Sequence, residues 1–480
     1  MNNININKTN YAIPFLFALT SCIIAYGFEL VNHTISIDVD VMDNYLHTID
    51  LGRWGHALLK KYIFHEPWVP FFSIAFSLMT VSASSLVASI YLKLNLEESI
   101  VFSVLFVTFP QMAYQLQFSN QAETVGLALL FCMYSMIFFH KNGLVGKLLF
   151  VLINVFVISI YQSLVFLPVT LVSLYSFKRI SEGEFKLGGW FKESVMISLL
   201  TIISVIIYFV ISKQLKSHYQ ITDVSYFSQL IAWNKMGVAD AIISVFKFIL
   251  YNCYTVTWYG FEFYFLTLGS VLLVTTTSIK FGARALLISL FISFIVILSP
   301  FILNILIGSG TPARTLSQMP MVFALTVSAG LMKIKLKPVK IAIILYIALS
   351  SCAYINILFY SDKIAEDQTK FLSQQIIFDI YHIYPEKIQS DIPIYFYGKI
   401  KVNNPWRQNR ADEFGISFYE RGESDRIGNY IRNTGIANII QVSKHSISSK
   451  HKRELTSMPS WPATGSIKDV SGTILVKLSD

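Results

Sequence analysis

Charged side chains are scarce in this chain. Only 14% of its 480 residues are Asp, Glu, Lys or Arg, against 54% hydrophobic and 15% aromatic. A soluble domain carries roughly 25% charge, so an ordinary water-soluble fold is excluded, and a mean hydropathy of +0.55 points to a chain whose solvent is largely lipid. Cysteine is nearly absent: there are four, none in a CxxC pair, which excludes a disulfide framework and a cysteine zinc site. Internal repeats and low-complexity tracts are missing, which removes solenoids and disordered tethers. The net charge of +9 would suggest nucleic acid in a soluble protein. In a membrane protein it has to be counted loop by loop instead, and no nucleic-acid partner follows from it.

What is present is a series of long apolar runs. Stretches near the ~20 residues needed to cross a bilayer fall at roughly 11–31, 69–92, 99–113, 122–140, 147–160, 162–177, 194–212, 258–279, 285–307, 319–333 and 339–360. The chain therefore reads as a polytopic α-helical membrane protein of about eleven transmembrane helices. The first run is too long for a signal-peptide core and lacks a small-residue cleavage site, so it is expected to remain as an anchor. With the N-terminus inside, alternation places Lys93, Lys141, Arg179, Lys280, Arg284 and Lys333 on the cytoplasmic side, as the positive-inside rule requires. Residues 1–360 are then a multi-spanning domain with an outer loop at 32–68. Residues 361–480, where hydropathy falls, are expected to form a small soluble α/β domain on the outer side. In it "DQTKFLSQQIIFDIYHIY" patterns as a helix, while "IPIYFYGKI" and "GTILVKL" pattern as strands.

The outer loop gathers carboxylates. "HTISIDVDVMDNYLHTIDLGRWGHALLKKYIFHEP" holds Asp38, Asp40, Asp43, Asp50 and Glu66 between two apolar runs, and acidic residues beside a membrane are functional candidates. In an extended segment Asp38 and Asp40 share one side and Ile37, Val39 and Val41 the other. Paired carboxylates push one pKa upward, which suits a general base for a sugar hydroxyl. The structural reading is an acidic loop in which Asp43 or Asp50 caps a short helix. "LGRWGHALLKKYIF" has helical periodicity and is expected to lie along the membrane surface, presenting Arg53 and His56. Arg53 and Arg314, the latter in the Gly- and Pro-bearing loop "GSGTPARTLSQMP", are candidate ligands for a phosphate, which a guanidinium binds bidentately. An arginine snorkelling to lipid headgroups is the alternative. Polar residues also stand where apolar runs reach the outer face. Tyr114 and Gln117 in "AYQLQFSNQAE", and Tyr161 and Gln162 in "SIYQSL", either hydrogen-bond a sugar or satisfy broken helix ends.

The ordered set "IDVDVMDNY", "LGRWGHALL", "FPQMAYQLQF", "SIYQSL", the "PAR" of residues 312–314 and the tail "MPSWPATGSIKDVSGTILVKLSD" resembles the bacterial glucosyltransferase II family, the serotype-converting O-antigen glucosyltransferases. The resemblance implies a GT-C-like enzyme of the bacterial inner membrane, with its active site and C-terminal domain facing the periplasm. Such an enzyme takes glucose from a polyprenyl-phosphate-glucose donor and adds it, with inversion, to an O-antigen repeat on a lipid carrier. Where relatives show an adjacent acidic pair near the first crossing, this chain has "DVD" and then "MDN", which leaves the base among Asp40, Asp38 and Asp43, taken in that order. Arg53 and Arg314 would bind the donor phosphate, and His56, Tyr114, Gln117, Tyr161 and Gln162 the substrates. Asp38, Asp40, Asp43 and Glu66 also offer oxygen ligands that a divalent metal accepts, but arginines can meet a phosphate leaving group alone, so no obligatory metal or other cofactor is expected. A lipid-linked sugar transporter or flippase would place ionisable groups deep in several crossings, and an O-antigen polymerase would share the transferase pattern.

The topology has a direct test. A reporter fused after Asp480 is expected to be active only in the periplasm, and activity in the cytoplasm would overturn the assignment of faces.

Overall fold

The computed structural model describes residues 9–480 except 42–43, 142, 185–186, 222–230, 234, 255–257, 259, 389 and 410. Asp43, one of the expected carboxylates, therefore lies outside the described residues. Among those described, nine helices are long and apolar enough to cross a bilayer: Tyr11–Asn32, Pro70–Tyr91, Ala122–Lys141, Gly143–Ile160, Gln162–Ser181, Gly188–His218, Phe261–Phe281, Ala283–Ile307 and Lys337–Ile383.

The difference from about eleven expected crossings lies in two runs. The one at 99–113 becomes a 12-residue helix, Leu96–Val107, and the one at 319–333 a 13-residue helix, Met319–Leu331. At ~1.5 Å per residue these are about 18–20 Å long, short of the ~30 Å hydrocarbon core. Both are shielded by protein: every residue of Met319–Leu331 is buried, and the two helices pack on each other. Their apolarity is therefore that of a protein interior, which periodicity in the sequence does not separate from that of a membrane span. Asn95 starts the first of them with a reciprocal cap, accepting from Glu98 N and donating to Glu98 Oε2, both at 3.0 Å. Pro110 stops it, since proline cannot continue the hydrogen-bond ladder, and the chain resumes as the short helix Gln111–Leu116.

Contacts divide the chain into two compact units. The first comprises Met1–Leu30 and Asn44–Asn356; the second comprises Val31–Asp43 and Ile357–Asp480. The acidic opening stretch thus folds with the C-terminal residues, and the unit boundary falls inside the 47-residue helix Lys337–Ile383.

The second unit is α/β. Strands β1 (Ile392–Tyr397), β2 (Ile439–Gln441), β3 (Ile467–Val470) and β4 (Thr473–Lys477) form one sheet in the order β2-β1-β4-β3. β1 runs parallel to β2 and β4, with Ile394 opposite Ile474, and β3 and β4 make an antiparallel hairpin. The crossover from β1 to β2 carries the helix Ser424–Asn433, whose Ile427, Tyr430 and Ile431 enter the core together with Ile376, Ile377 and Ile380 of the long helix. Ile37 of the opening stretch is part of this core.

The other face of Ser424–Asn433 holds the stretch. Arg426, Asn429 and Asn433 follow each other at helical spacing and so share that face. Arg426 Nη2 donates to Asp38 Oδ1 at 2.6 Å and Nη1 to Asp40 Oδ1 at 3.1 Å. Asn429 Nδ2 donates to Asp40 Oδ2 at 3.1 Å, and Asn433 donates to the Asp40 carbonyl. The segment is not extended as its alternation suggested. Val39 N closes a turn onto Ser36 O at 3.1 Å, and Asp38 takes a left-handed φ of 68°, so the two carboxylates converge on one guanidinium by a turn. Removing that guanidinium leaves the 1%-exposed Asp40 side chain as a buried unpaired charge. Arg426→Ala is expected to cost about 2–3 kcal/mol, below the ~3–5 of a fully buried pair because Arg426 is itself part-exposed. Limited proteolysis of the purified chain should then show cleavage within residues 33–41. Wild-type resistance would show that the clasp contributes nothing.

Candidate functional site

The breaks that follow and precede the two short helices lie in the first unit and meet there. Gln111, immediately after Pro110, donates Nε2 to the Ala313 and Arg314 carbonyls, each at 3.2 Å. Buried backbone outside a helix persists only where other groups satisfy it, and this side-chain amide does so for the Arg314 loop. Gln318 Nε2 ties the same loop to the Ser163 carbonyl at 3.0 Å.

Arg53 is delivered by a tight turn. The helix Tyr45–Asp50 is closed by Gly52 at φ 74°, where a Cβ would strike the Tyr208 hydroxyl, and Gly52 N and Arg53 N bond back to Ile49 O and Thr48 O at 2.9 and 2.8 Å. Asp50 thus ends that helix and does not cap its start. Gly55 then lets the helix Trp54–Leu59 approach Ser159 and Ile160, which a Cβ would meet.

Both arginines reach one turn. Arg53 Nη1 donates to Gln121 Oε1 at 3.0 Å and Nε to Gln162 Oε1 at 3.3 Å, while the Arg314 guanidinium carbon stands 4.8 Å over the Phe118 ring. Gln121 N bonds Phe118 O at 3.0 Å, so the two contacts fall on a single turn. Tyr161 links the two from the other side: the Arg53 guanidinium carbon lies 5.4 Å from its ring centroid, and its hydroxyl donates to the Arg314 carbonyl at 3.1 Å. Gln162 is held by Leu51 O at 2.9 Å and the Tyr208 hydroxyl at 3.1 Å. Arg53 and Arg314 are both half-buried. Arginines in this state are positioned by protein and remain reachable by a ligand, whereas a snorkelling side chain would extend away from such contacts.

His56 lies one turn beyond Arg53. Its Nδ1 is 2.7 Å from Thr124 Oγ1, and Thr124 Oγ1 donates to the Gln121 carbonyl at 2.9 Å. The single hydroxyl proton is thereby used, so the network assigns the imidazole proton to Nδ1 and leaves the lone pair on Nε2. Burial, with the Lys60 and Arg53 charges adding to it, pulls the His56 pKa down to about 3, and the ring is neutral at physiological pH. The helix opens into a π turn over Lys60–Phe64, and Lys60 Nζ donates to Glu123 Oε1 at 2.5 Å with both side chains buried. This pair fixes the segment bearing Arg53 and His56 onto the first turn of Ala122–Lys141.

The expected residues are thus distributed unevenly. Arg53, Arg314, Tyr161, Gln162 and His56 come together. Tyr114 and Gln117 belong to the same break but are buried in it, Tyr114 edge-on to Trp258 and Phe261. Asp38 and Asp40 belong to the second unit. Burial is the main cause that raises the Asp40 carboxyl above its ordinary value. Asn429 and Arg426 pull it back, and repulsion from Asp38 is the smallest contributor, so desolvation, and not the expected pairing of carboxylates, sets its state. Gln111, Lys60, Tyr208, Arg426 and Asn429 were not singled out from the sequence. Gln111, a polar residue directly after a proline in an apolar run, carried a signal; Lys60 was masked by its place in an ordinary basic pair.

Nine lipid-length helices among the described residues define a polytopic membrane protein, and its first unit brings two half-buried guanidiniums to one turn. The family described as Glucosyl transferase GtrII matches residues 27–334, and the chain belongs to that family. It is a membrane glucosyltransferase in class. The matched span includes the opening stretch, Arg53 and Arg314 and stops before the last long helix, so the tail that shares in the resemblance lies outside it. No curated protein and no solved structure matches the chain.

Arg53→Lys and Arg314→Lys are each expected to lower glucosyl transfer about 10- to 100-fold, since a point charge loses one charge-assisted hydrogen bond worth ~1.5–3 kcal/mol. Wild-type turnover in both would return these arginines to a headgroup-contact role.

Proposed function

We propose that the protein transfers glucose from a polyprenyl-phosphate-glucose donor to an O-antigen repeat on a lipid carrier, at the periplasmic face of the bacterial inner membrane. The observation that supports this most is the convergence of Arg53 and Arg314 on the Phe118–Gln121 turn around Tyr161. A polyprenyl phosphate presents its sugar at the headgroup layer, and a pair of guanidiniums held at helix breaks suits its phosphate. In the proposed step an acceptor hydroxyl oxygen attacks C1 of glucose, the bond from C1 to the phosphate oxygen breaks, and the polyprenyl phosphate leaves with the electron pair. The arginines meet the charge that develops on it. Attack opposite the leaving group inverts the anomeric centre. The neutral His56, with its Nε2 lone pair, accepts a hydrogen bond from a sugar hydroxyl and stays uncharged while it does so.

The sequence names the carboxylates of the opening stretch as the candidates for the base that takes the hydroxyl proton. Within the second unit, Asp40 has one oxygen on Arg426 and the other on Asn429, whereas the Asp38 side chain is 48% exposed. Asp38 also holds the left-handed backbone conformation that non-glycine residues seldom adopt. This exposure and backbone support Asp38 as the base, with Asp40 and Arg426 holding it, ahead of Asp40, which the resemblance put first. The test is transfer by purified protein from polyprenyl-phosphate glucose to lipid-linked repeats, with nucleotide-linked glucose as the competing donor. Asp38→Asn is expected to lower the rate ~10²–10⁴-fold, as loss of a general base does, while thermal stability stays near wild type. Full activity of folded Asp38→Asn would move the base to Asp40 or Asp43, and transfer from the nucleotide donor alone would sink the lipid-donor reading.

A further inference from the structure

The span Gln162–Ser181 that begins beside Arg53 ends, roughly 30 Å away at the helical rise, in a second polar cluster. A cavity of about 340 Å³ opens there, bordered by Lys178, Lys280 and Lys333, by Glu98 and Glu182, and by the apolar wall of Phe281. Its floor sets one ammonium between two carboxylates. Lys178 Nζ is 2.5 Å from Glu98 Oε1 and 3.1 Å from Glu182 Oε1, and Lys178 and Glu98 are both buried. Its rim differs. Lys333 Nζ donates to the neutral Ser181 carbonyl at 2.6 Å, Lys280 Nζ stands 5.0 Å from the Phe281 ring centroid, and among the described residues neither forms an ion pair.

Three ammonium groups and two carboxylates leave the cavity with an excess of one positive charge. Low-dielectric walls focus that field toward the opening. Burial lowers the Lys333 pKa and the charges of Lys280 and Lys178 lower it further, while Glu182 and Glu98 raise it in part, so the rim lysines repel one another and an anion between them would relieve the repulsion. The volume is at the small end of ligand sites, about 300–1,000 Å³, which suits a headgroup and not a whole lipid. Ile279 and Phe281, flanking Lys280, are exposed at 60% and 51%, an apolar border of the kind a lipid tail covers.

We propose that this cavity is a phosphate-binding site, with Lys280 and Lys333 as the ligands and the Lys178–Glu98 pair as its fixed floor. The phosphate belongs to an anionic phospholipid headgroup or is free inorganic phosphate. The site is separate from the proposed donor site and does not depend on that reading.

The purified full chain would be placed in nanodiscs of phosphatidylcholine alone, or of phosphatidylcholine with phosphatidylglycerol. Native mass spectrometry would then read retained lipid, and thermal unfolding would read stabilisation; inorganic phosphate would be titrated in the phosphatidylcholine discs. Retention of phosphatidylglycerol with a raised melting temperature supports a headgroup, and stabilisation by inorganic phosphate alone supports free phosphate. In either case K280Q/K333Q is expected to weaken binding at least about tenfold, while K280R/K333R, which keeps both charges, binds as wild type and controls for folding. Equal binding by wild type and K280Q/K333Q, or no binding of either probe by wild type, overturns the proposal and leaves the cluster as a junction of helix ends.

Discussion

Lipid offers no hydrogen bonds, and the first unit is arranged around that constraint. Each interruption of a helix at membrane depth exposes carbonyls that only the protein can satisfy. Two apolar helices of 12 and 13 residues end or begin in such interruptions; Gln111 and Tyr161 donate into the loop that carries Arg314, and Gln318 of that loop donates out to the Ser163 carbonyl. The residues that satisfy the backbone are therefore also those that place a guanidinium. Structure and chemistry share the same side chains here, at "FPQMAYQLQFSNQAE" and "SIYQS".

The buried Lys60–Glu123 pair contributes in a different way. Burying two charges is expensive, and such a pair is often no more stabilising than apolar residues of the same size. Its value lies in geometry: it accepts one arrangement of the π turn against Ala122–Lys141, and that arrangement fixes the rotation of Arg53 and His56. The Lys178–Glu98 pair at the far end of the Gln162–Ser181 span does the same for the helix ends around the basic cavity, with Glu98 also capping its own helix through Asn95. At both ends of the unit, ionic contacts set directions that apolar packing alone leaves loose.

In the second unit the opening stretch is a strap. Ile37 enters the apolar core, and Asp38 and Asp40 close on the Arg426, Asn429 and Asn433 face of a helix nearly 390 residues further along the chain. The carboxylates were conspicuous in the sequence because they crowd together beside a crossing. Arg426 was not conspicuous, since one arginine in a polar C-terminal helix looks like a surface residue.

Local pattern determined much of this protein. Hydropathy and run length marked nine of the long helices, because backbone satisfaction in lipid demands continuous apolar segments. Period-two alternation marked β1, an apolar strand-like run marked β4, and the composition of "GSGTPARTLSQMP" marked a loop with an arginine to present. Resemblance in the order of motifs pointed to the family that the match over residues 27–334 shows. Tertiary structure decided the rest. That two apolar runs are half-length interior helices, that Arg53 and Arg314 land on one turn, that Gln111 closes the Arg314 loop, and that Asp40 is buried against Arg426 all depend on residues far apart in sequence. Long-range pairing leaves no periodic trace in either partner, so only the folded chain reveals which polar side chains meet.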